Sequence, residues 1–150
     1  MEGKKCDKRC VRAGIGVLFV KDGKVLLGKR HDDPVKADSE LHGEGTWTVP
    51  GGKMDFQESP IKGARREARE ETSLEAKGLE LISVGNEVVP DAHFVTLGFL
   101  CREFEGEPRV MEPDEITEWR WFRPDELPER VFPPALKIIK NWLDGTVYKH

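Results

Sequence analysis

An aspartate–glycine pair between two apolar runs is the feature that most restricts how this chain can fold. Residues 11–20 read VRAGIGVLFV, which is rich in β-branched side chains, and the apolar pattern resumes at Val25 after Lys21-Asp22-Gly23-Lys24. A tight hairpin turn needs positive φ at both central positions, and Asp-Gly adopts this conformation readily. The sequence therefore predicts two antiparallel strands, over residues 11–20 and 24–30.

Strand and helix patterns alternate along the rest of the chain. Ser59 and Pro60 are typical of a helix start and predict a helix over residues 60–73. A second helix is expected at 133–144, with a buried stripe of Leu136, Ile139 and Leu143. We expect a loop at 31–45, a strand that stops at Pro50-Gly51-Gly52, and further strands at 46–49, 78–90, 93–102 and 116–122. This mixture predicts an α+β fold, with a mixed sheet flanked by helices in an α/β/α sandwich.

Length and charge narrow the class of protein. The 150 residues predict one domain over residues 11–150, preceded by a flexible tail at 1–10. A net charge of −4 argues against sequence-independent binding to nucleic acid. No apolar run reaches the ~20 residues that would span a bilayer, so we expect no membrane partner. The three cysteines, Cys6, Cys10 and Cys101, form neither a disulfide framework nor a zinc pattern and favour a cytoplasmic location.

Three glutamates mark the first helix. Glu67, Glu70 and Glu71 are spaced i, i+3 and i+4 and therefore share one helix face. Two interpretations remain open. The face is either solvated and neutralised by the nearby arginines, or it is a site for hard divalent cations, since carboxylate oxygens suit Mg²⁺ and Mn²⁺. The preceding Gly51-Gly52 would let the backbone approach a metal or phosphate closely.

The residues around these glutamates resemble the signature of the Nudix hydrolases. That signature is G, five residues, E, seven residues, then R-E-U-x-E-E-x-G-U, where U is a bulky apolar residue. Here Gly52 and Glu58 stand at the first two fixed positions, and residues 66–74 read REAREETSL. Two positions depart from the pattern. Ala68 is small for its U position, and Ser73 replaces the glycine, which we expect to alter how the helix ends.

The resemblance extends over roughly residues 11–143. GIGVLFVKDGKVLLGKR, TWTVPGG and EPDEITEWRWFRPDELP are similar to the MutT-like, nucleotide-pool branch of the family. It implies the Nudix fold, with a mixed curved sheet between helices. The implied activity is Mg²⁺-dependent cleavage of a (deoxy)nucleoside triphosphate, including a modified one, to monophosphate and pyrophosphate. Mn²⁺ would be a substitute cofactor.

The resemblance also implies roles for individual residues. Arg66 would pair with Glu58 to brace the loop against the helix, and Glu67 would be a metal ligand or the general base. A further acid would come from the 112–115 segment, with Glu115 preferred and Glu112 the alternative. The implied metal ligands are the Gly51 carbonyl, Glu67, Glu70, Glu71 and Glu115. The substrate-binding candidates are Gly52, Trp47, Phe94, Asp114 and Ile116.

Two other functions stay open at this point. One is hydrolysis of ADP-ribose or a nucleotide sugar, because Pro90 lies sixteen residues past Leu74, as in a pattern associated with ADP-ribose hydrolases. The other is a catalytically inactive Nudix-fold binding module, against which the complete set of charged residues argues. The expected partner is a small nucleotide-type diphosphate. A homodimer is also open, and Phe132 and Trp142 belong either to its interface or to the core.

Overall fold

The computed structural model describes residues 9–37 and 41–149, so most of the expected N-terminal tail, residues 1–8, lies outside it. Ten elements follow one another along the chain. They are β1 (Val11–Lys21), β2 (Lys24–Arg30), α1 (Pro34–Ala37), β3 (Trp47–Thr48), β4 (Gly51–Lys53), α2 (Pro60–Thr72), β5 (Glu75–Val89), β6 (Ala92–Glu105), β7 (Ile116–Phe122) and α3 (Pro133–Asp144). No helix in these two ranges is long and apolar enough to cross a membrane.

The predicted hairpin is confirmed, and it opens away from its turn. Asp22 and Gly23 have φ of 52° and 76°, as the tight turn requires. β1 and β2 pair only next to this turn, at Val20 with Val25 and at Lys21 with Lys24. Beyond that point β1 pairs with β4 and β6, whereas β2 pairs with β3 and β7. The two strands therefore diverge and leave a cleft between the halves of the sheet.

The sheet is mixed, as expected. Its strand order is β3-β2-β1-β6-β5, with β4 attached to β1 and β7 to β2. β1 and β6 are parallel, and the other pairs are antiparallel. α2 covers one face, where Ala64 and Ala68 pack with Ile15 and Phe19. α3 belongs to the second core cluster, which includes Leu18, so the sheet lies between two helices in an α/β/α sandwich.

The strand expected at residues 46–49 ends at Thr48, before Pro50, but a strand that the sequence analysis did not predict follows at once. Residues 51–53 form β4, antiparallel to β1, with Gly51 opposite Gly16 and Gly52 opposite Ile15. A Cβ on Gly51 would lie 2.0 Å from the carbonyl oxygen of Ile15, so only glycine permits this approach. The turn-forming character of glycine misled the sequence interpretation, because here glycine allows two backbones to meet.

The buried face of α3 also differs from the prediction. Ile139 is buried as predicted, but Ile138 is buried beside it and Leu143 is 54% exposed. Asn141 occupies the buried face near the end of the helix, where its amide donates to Ser83 Oγ at 2.8 Å and to the Val147 carbonyl at 3.0 Å. The helix is thus rotated relative to the apolar stripe we predicted, and two hydrogen bonds offset the cost of burying the asparagine amide.

Ile138 and Leu143 provide a direct test of this rotation. We expect Ile138→Ala to lower the free energy of unfolding by about 2–5 kcal/mol, because the side chain is 2% exposed and faces Gly16 and Gly98. Leu143→Ala is the matched control on the same helix and should change it by less than about 0.5 kcal/mol. Chemical denaturation of both variants measures these differences. Equal losses would contradict the orientation of α3.

Candidate active site

The helix that carries the acidic face is held at both ends. At its start, Ser59 Oγ accepts a hydrogen bond from the Lys62 backbone at 3.2 Å, which caps the first turn. At its end, Ser73 has φ of 67° and its N–H donates to the Arg69 carbonyl. Ser73 thus takes the left-handed conformation that a glycine would adopt, and its hydroxyl donates to the Glu107 carbonyl at 3.2 Å. The departure at Ser73 therefore leaves a regular helix end.

Glycines of β4 bring the backbone against this acidic face. The Gly51 N–H donates to Glu71 at 3.1 Å. A Cβ on Gly52 would lie 2.7–2.8 Å from the Glu67 carboxyl group, so a larger residue would displace that carboxylate. Glu67 itself is only 9% exposed. The acidic face therefore packs against the sheet at this point and is not fully solvated.

Arg66 connects the acidic face to the preceding loop. Its guanidinium makes a bidentate contact with Glu58, at 2.7 and 3.0 Å, and also donates to the Lys53 carbonyl at 3.1 Å. Its Nη1 donates to Glu67 at 2.9 Å and to Glu70 at 3.2 Å. A planar guanidinium with five donors can satisfy this arrangement, whereas a lysine ammonium cannot. The structure thus places Arg66 and Glu58 as predicted, between loop and helix.

The other arginines near the helix do not neutralise the acidic face. Arg65 donates to the Lys77 carbonyl at 3.1 Å, and Arg69 forms a bidentate pair with Glu75. Within the described residues 9–37 and 41–149, Arg66 is the only one of these three arginines that contacts the glutamates of the face. The interpretation of a surface neutralised by all three arginines therefore does not describe this helix.

Both candidates for the additional acid converge on Glu71. One carboxylate oxygen each from Glu71, Glu112 and Glu115 lie within 4.8 Å of one another, and all three residues are half-buried. The Glu115 N–H donates to the Glu112 carbonyl at 2.9 Å, in a turn that points both side chains the same way. Sequence could not separate Glu112 from Glu115, and the structure brings both into the same cluster.

The electrostatics of this cluster favour a cation. Burial raises the pKa of Glu71 well above its ordinary value, and the charge on Glu67 raises it further. Burial likewise raises the pKa of Glu67, although Arg66 opposes that effect. The pKa of Glu112 is raised by burial and by the charge on Glu70. Gathered carboxylate oxygens of this kind suit Mg²⁺ or Mn²⁺, so the residues present fit a hard divalent ion.

A cavity of about 480 Å³ extends from these acids to an apolar end. Glu67, Glu70, Glu71, Glu112 and Glu115 line the acidic end, together with Gly51, Gly52 and Lys53. The other end is bounded by Phe94 and Thr96 from the sheet, and by Phe132, Pro134, Ala135 and Ile138 at and after the start of α3. The opening between β1 and β2 thus contains acidic and apolar surfaces in one space.

The substrate-binding candidates divide into two groups. Gly52, Phe94 and Ile116 line the cavity. Trp47 and Asp114 are not brought to it: Trp47 packs edge-on against Phe122 at 5.1 Å, and Asp114 is exposed.

Sequence reasoning missed Arg30 at this site and left Phe132 open between a dimer interface and the core. Arg30 is 8% exposed, donates to the Ala37 carbonyl at 3.0 Å and lies 4.8 Å over the Phe132 ring. Phe132 is itself 8% exposed and lines the cavity, so it is not available for an interface. No sequence signal distinguished Arg30, because an arginine at a strand end is ordinarily a surface residue.

The ion pair of Glu58 predicts a pH dependence of stability. Hydrogen bonds from Arg66 and from the Asp55 N–H lower the pKa of Glu58 from 4.5 to about 2. Its contribution is therefore present above pH 4.5 and is lost as the pH falls toward 2. We expect Glu58→Gln to lower the melting temperature at neutral pH, with a difference from wild type that narrows in acid.

Melting curves of both proteins across this pH range, followed by circular dichroism, measure the effect. Glu126→Gln, an exposed residue of the 124–128 turn, is the control and should match wild type at each pH. A Glu58→Gln deficit that is independent of pH would show that the charge of the carboxylate does not contribute.

The acid cluster predicts stabilisation by a divalent cation. Mg²⁺ at about 100 times its dissociation constant should raise the free energy of unfolding by about 2.7 kcal/mol. We expect Glu71→Gln to lose most of this increase, and Glu112→Gln and Glu115→Gln each to weaken Mg²⁺ binding. Thermal melts with and without Mg²⁺, and calorimetric titration, measure both effects. Glu129→Gln, an exposed residue, is the control; an unchanged response in Glu71→Gln would contradict the site.

Comparisons with known proteins agree on one family. A family model described as NUDIX domain matches residues 9–142. A MutT-like protein of Streptomyces ambofaciens is 33% identical over 130 residues, which cover 87% of this chain and 75% of that protein. An RNA pyrophosphohydrolase of Novosphingobium aromaticivorans is 28% identical over 153 residues, which cover 89% of this chain and 90% of that protein.

The fold is shared with solved structures as well. The crystal structure of a MutT NUDIX hydrolase from Burkholderia pseudomallei matches with a TM-score of 0.80 and 31% identity, covering 89% of this chain and 98% of that one. Fold, signature residues and relatives thus lead to the same assignment. This chain belongs to the NUDIX family and is a Nudix pyrophosphohydrolase.

Proposed function

We propose that this enzyme hydrolyses a (deoxy)nucleoside triphosphate, including a modified one, to the monophosphate and pyrophosphate, with Mg²⁺ as its cofactor. The observation that carries the proposal is the convergence of Glu71, Glu112 and Glu115 at one end of a cavity whose other end is apolar. A nucleotide has the same division, with charged phosphates at one end and a flat base at the other. The cavity volume of about 480 Å³ is within the ordinary range for small-molecule sites.

Nudix hydrolases generally use a divalent cation, and the oxygen donors of this site fit one. Glu70, Glu71, Glu112 and Glu115 would hold it, together with the Gly51 carbonyl, which leaves Glu67 for the role of general base. When bound, the cation would lower the pKa of water and neutralise charge on the phosphoryl oxygens. Mn²⁺ would substitute for Mg²⁺, because it accepts the same oxygen ligands.

The residues of the chain supply proton transfer and positioning. Glu67 would accept the proton of the attacking water, because its burial raises its pKa toward the range in which a general base is effective. Arg66 holds Glu67 at 2.9 Å while gripping Glu58, so the loop and the base keep a common orientation. Gly52 keeps this position open, since a side chain there would collide with the Glu67 carboxylate.

The alternative substrates remain diphosphates linked to a second group. Pro90 is exposed at the β5–β6 turn and is not part of the cavity lining, so the proline that suggested ADP-ribose gains no support from its position. The 5′ end of an RNA is a further candidate substrate, because one relative is named an RNA pyrophosphohydrolase. The expectation that nucleic acid is excluded is thereby weakened.

A cytoplasmic location and a homodimer, with half-buried Trp142 near its interface, stay proposals.

Product analysis tests the substrate directly. The protein would be incubated with Mg²⁺ and a panel of nucleoside triphosphates, oxidised triphosphates, ADP-ribose, nucleotide sugars and 5′-triphosphorylated RNA, and the products separated by chromatography. Monophosphate plus pyrophosphate from a free triphosphate is the expected result. Cleavage confined to ADP-ribose, a nucleotide sugar or RNA would replace the proposed substrate class.

The role of Glu67 predicts a large kinetic effect. We expect Glu67→Gln to lower kcat by about 10²–10⁴-fold, because an amide cannot accept the proton, while the protein stays folded. Steady-state kinetics on the best substrate, with a melting curve for each variant, measure the two properties. Glu80→Gln, an exposed substitution on β5, is the control. Near-normal turnover by a folded Glu67→Gln would remove Glu67 from the role of base.

A further inference from the structure

The last turn of α2 is bound to the part of the chain that follows β6. A helix leaves its final carbonyl groups without partners inside the helix. The Thr72 carbonyl accepts a hydrogen bond from the Arg109 N–H at 2.9 Å, and the Glu71 carbonyl accepts one from Trp119 Nε1 at 3.2 Å. The second bond concerns the acidic site directly, because Glu71 carries one of the three gathered carboxylates.

The indole ring of Trp119 has a fixed place on the sheet. Trp119 lies on β7, opposite Gly28 on β2. A Cβ on Gly28 would lie 2.6 and 2.7 Å from Cζ3 and Cε3 of the indole, so the ring occupies the space that a side chain would fill there. The ring also packs against the core cluster that contains Ala64 and Ala68 of α2. The indole N–H therefore holds the Glu71 carbonyl from a position that the sheet determines.

The acids that meet Glu71 are attached to the same strands as Trp119. Glu115 comes immediately before β7, and its carbonyl accepts a hydrogen bond at 2.8 Å from the N–H of His31, which follows β2. The Glu112 carbonyl accepts from the Glu115 N–H at 2.9 Å, so the two acids share one turn. Glu71 belongs to α2. Trp119, four residues after Glu115, thus connects the helix that carries one acid to the strand that follows the other two.

The spacing between these acids matters for the choice of cation. Mg²⁺ requires near-octahedral geometry with oxygen ligands at about 2.0–2.1 Å, whereas Ca²⁺ accepts more oxygens at about 2.3–2.6 Å in flexible arrangements. A small displacement of Glu71 from the 112–115 segment would therefore weaken Mg²⁺ binding more than Ca²⁺ binding. A hydrogen bond to the backbone of Glu71 limits such a displacement without contact with the ion.

We infer that Trp119 is a positioning residue for the divalent cation. Its indole N–H sets the distance between Glu71 and the acids of the 112–115 segment, and it thereby favours Mg²⁺ over Ca²⁺. The inference rests on the cation of the proposed function and is independent of which diphosphate is cleaved. Trp119 acts through Glu71, since it is not among the residues that line the cavity.

Trp119→Phe removes the N–H, and Trp121→Phe is the matched control. Trp121 lies on the same strand, with its ring stacked on Phe104 at 6.0 Å between centroids. Calorimetric titration with MgCl₂ and with CaCl₂, without nucleotide, gives two dissociation constants for each protein. For Trp119→Phe we expect the constant for Mg²⁺ to rise about 10-fold or more and that for Ca²⁺ to rise less than about threefold. Trp121→Phe should keep the wild-type ratio of the two constants.

An isosteric side chain separates the hydrogen bond from the packing of the ring. 3-Benzothienylalanine, introduced at position 119 by nonsense suppression, keeps a bicyclic ring of nearly the same size and has sulfur in place of the N–H. It tests the bond even where Trp119→Phe does not fold. We expect the same selective loss of Mg²⁺ affinity, with a smaller fall in melting temperature than in Trp119→Phe. Wild-type constants for both ions, or an equal loss for both, would assign Trp119 a purely structural role and overturn the inference.

The titrations also distinguish this inference from the proposed reaction. A selective loss of Mg²⁺ affinity in the variants, in a protein that does not cleave triphosphates, would retain the inference and overturn the proposed substrate. Unchanged selectivity in the variants, in a protein that does cleave them, would overturn the inference alone. A wild-type protein that binds no Mg²⁺ would overturn the inference together with the proposed cofactor.

Discussion

The guanidinium of Arg66 contacts five groups that must keep fixed relative positions, and one of them is Asp55 at 3.3 Å. It grips Glu58 through two hydrogen bonds, holds the Lys53 carbonyl, and reaches Glu67 and Glu70 on its own helix. In the loop between β4 and α2, Met54 packs against the core, but Phe56 is 91% exposed. The position of the loop therefore depends on this charge-assisted network, and the orientation of the acidic face depends on the loop.

Glycine at the contact between β1 and β4 is the second condition for the site. Because Gly51 has no side chain, its backbone can lie directly against the carbonyl oxygen of Ile15 on β1. Gly52 then leaves room for Glu67, and the Gly51 N–H reaches Glu71. The site is thus built on the edge of a sheet and not on a free loop, which limits how far its acids can move when a substrate binds.

The divergence of the first hairpin connects the two ends of the cavity. If β1 and β2 paired along their full length, no space would remain for Phe94 and Phe132 to face a ligand. Instead, β4 pairs with the edge of β1 that β2 leaves, and the start of α3 closes the apolar end. The acids on α2 and the apolar wall on α3 come from opposite layers of the sandwich, and one opening in the sheet brings them together.

Local patterns in the sequence determined most of the elements and the signature residues of the site. The Asp22-Gly23 turn, the strand at residues 116–122 and the helix at 133–144 follow from turn chemistry and periodicity, and the structure has them at those positions. The resemblance to the Nudix signature implied that Arg66 pairs with Glu58, and the i, i+3, i+4 spacing predicted that Glu67, Glu70 and Glu71 share one helix face. Such features depend on neighbours in the chain, so a single sequence contains them.

Tertiary structure decided what depends on residues distant in sequence. It made β4 from a Gly-Gly segment that resembled a turn, and it buried Asn141 in place of Leu143 on α3. It brought Glu112 and Glu115, which lie well after α2 in the chain, to Glu71 on that helix. It also buried Arg30 and Glu87, which no local pattern in the sequence distinguished. Strand pairing and helix rotation minimise the free energy of the whole core, and no short stretch of sequence specifies that minimum.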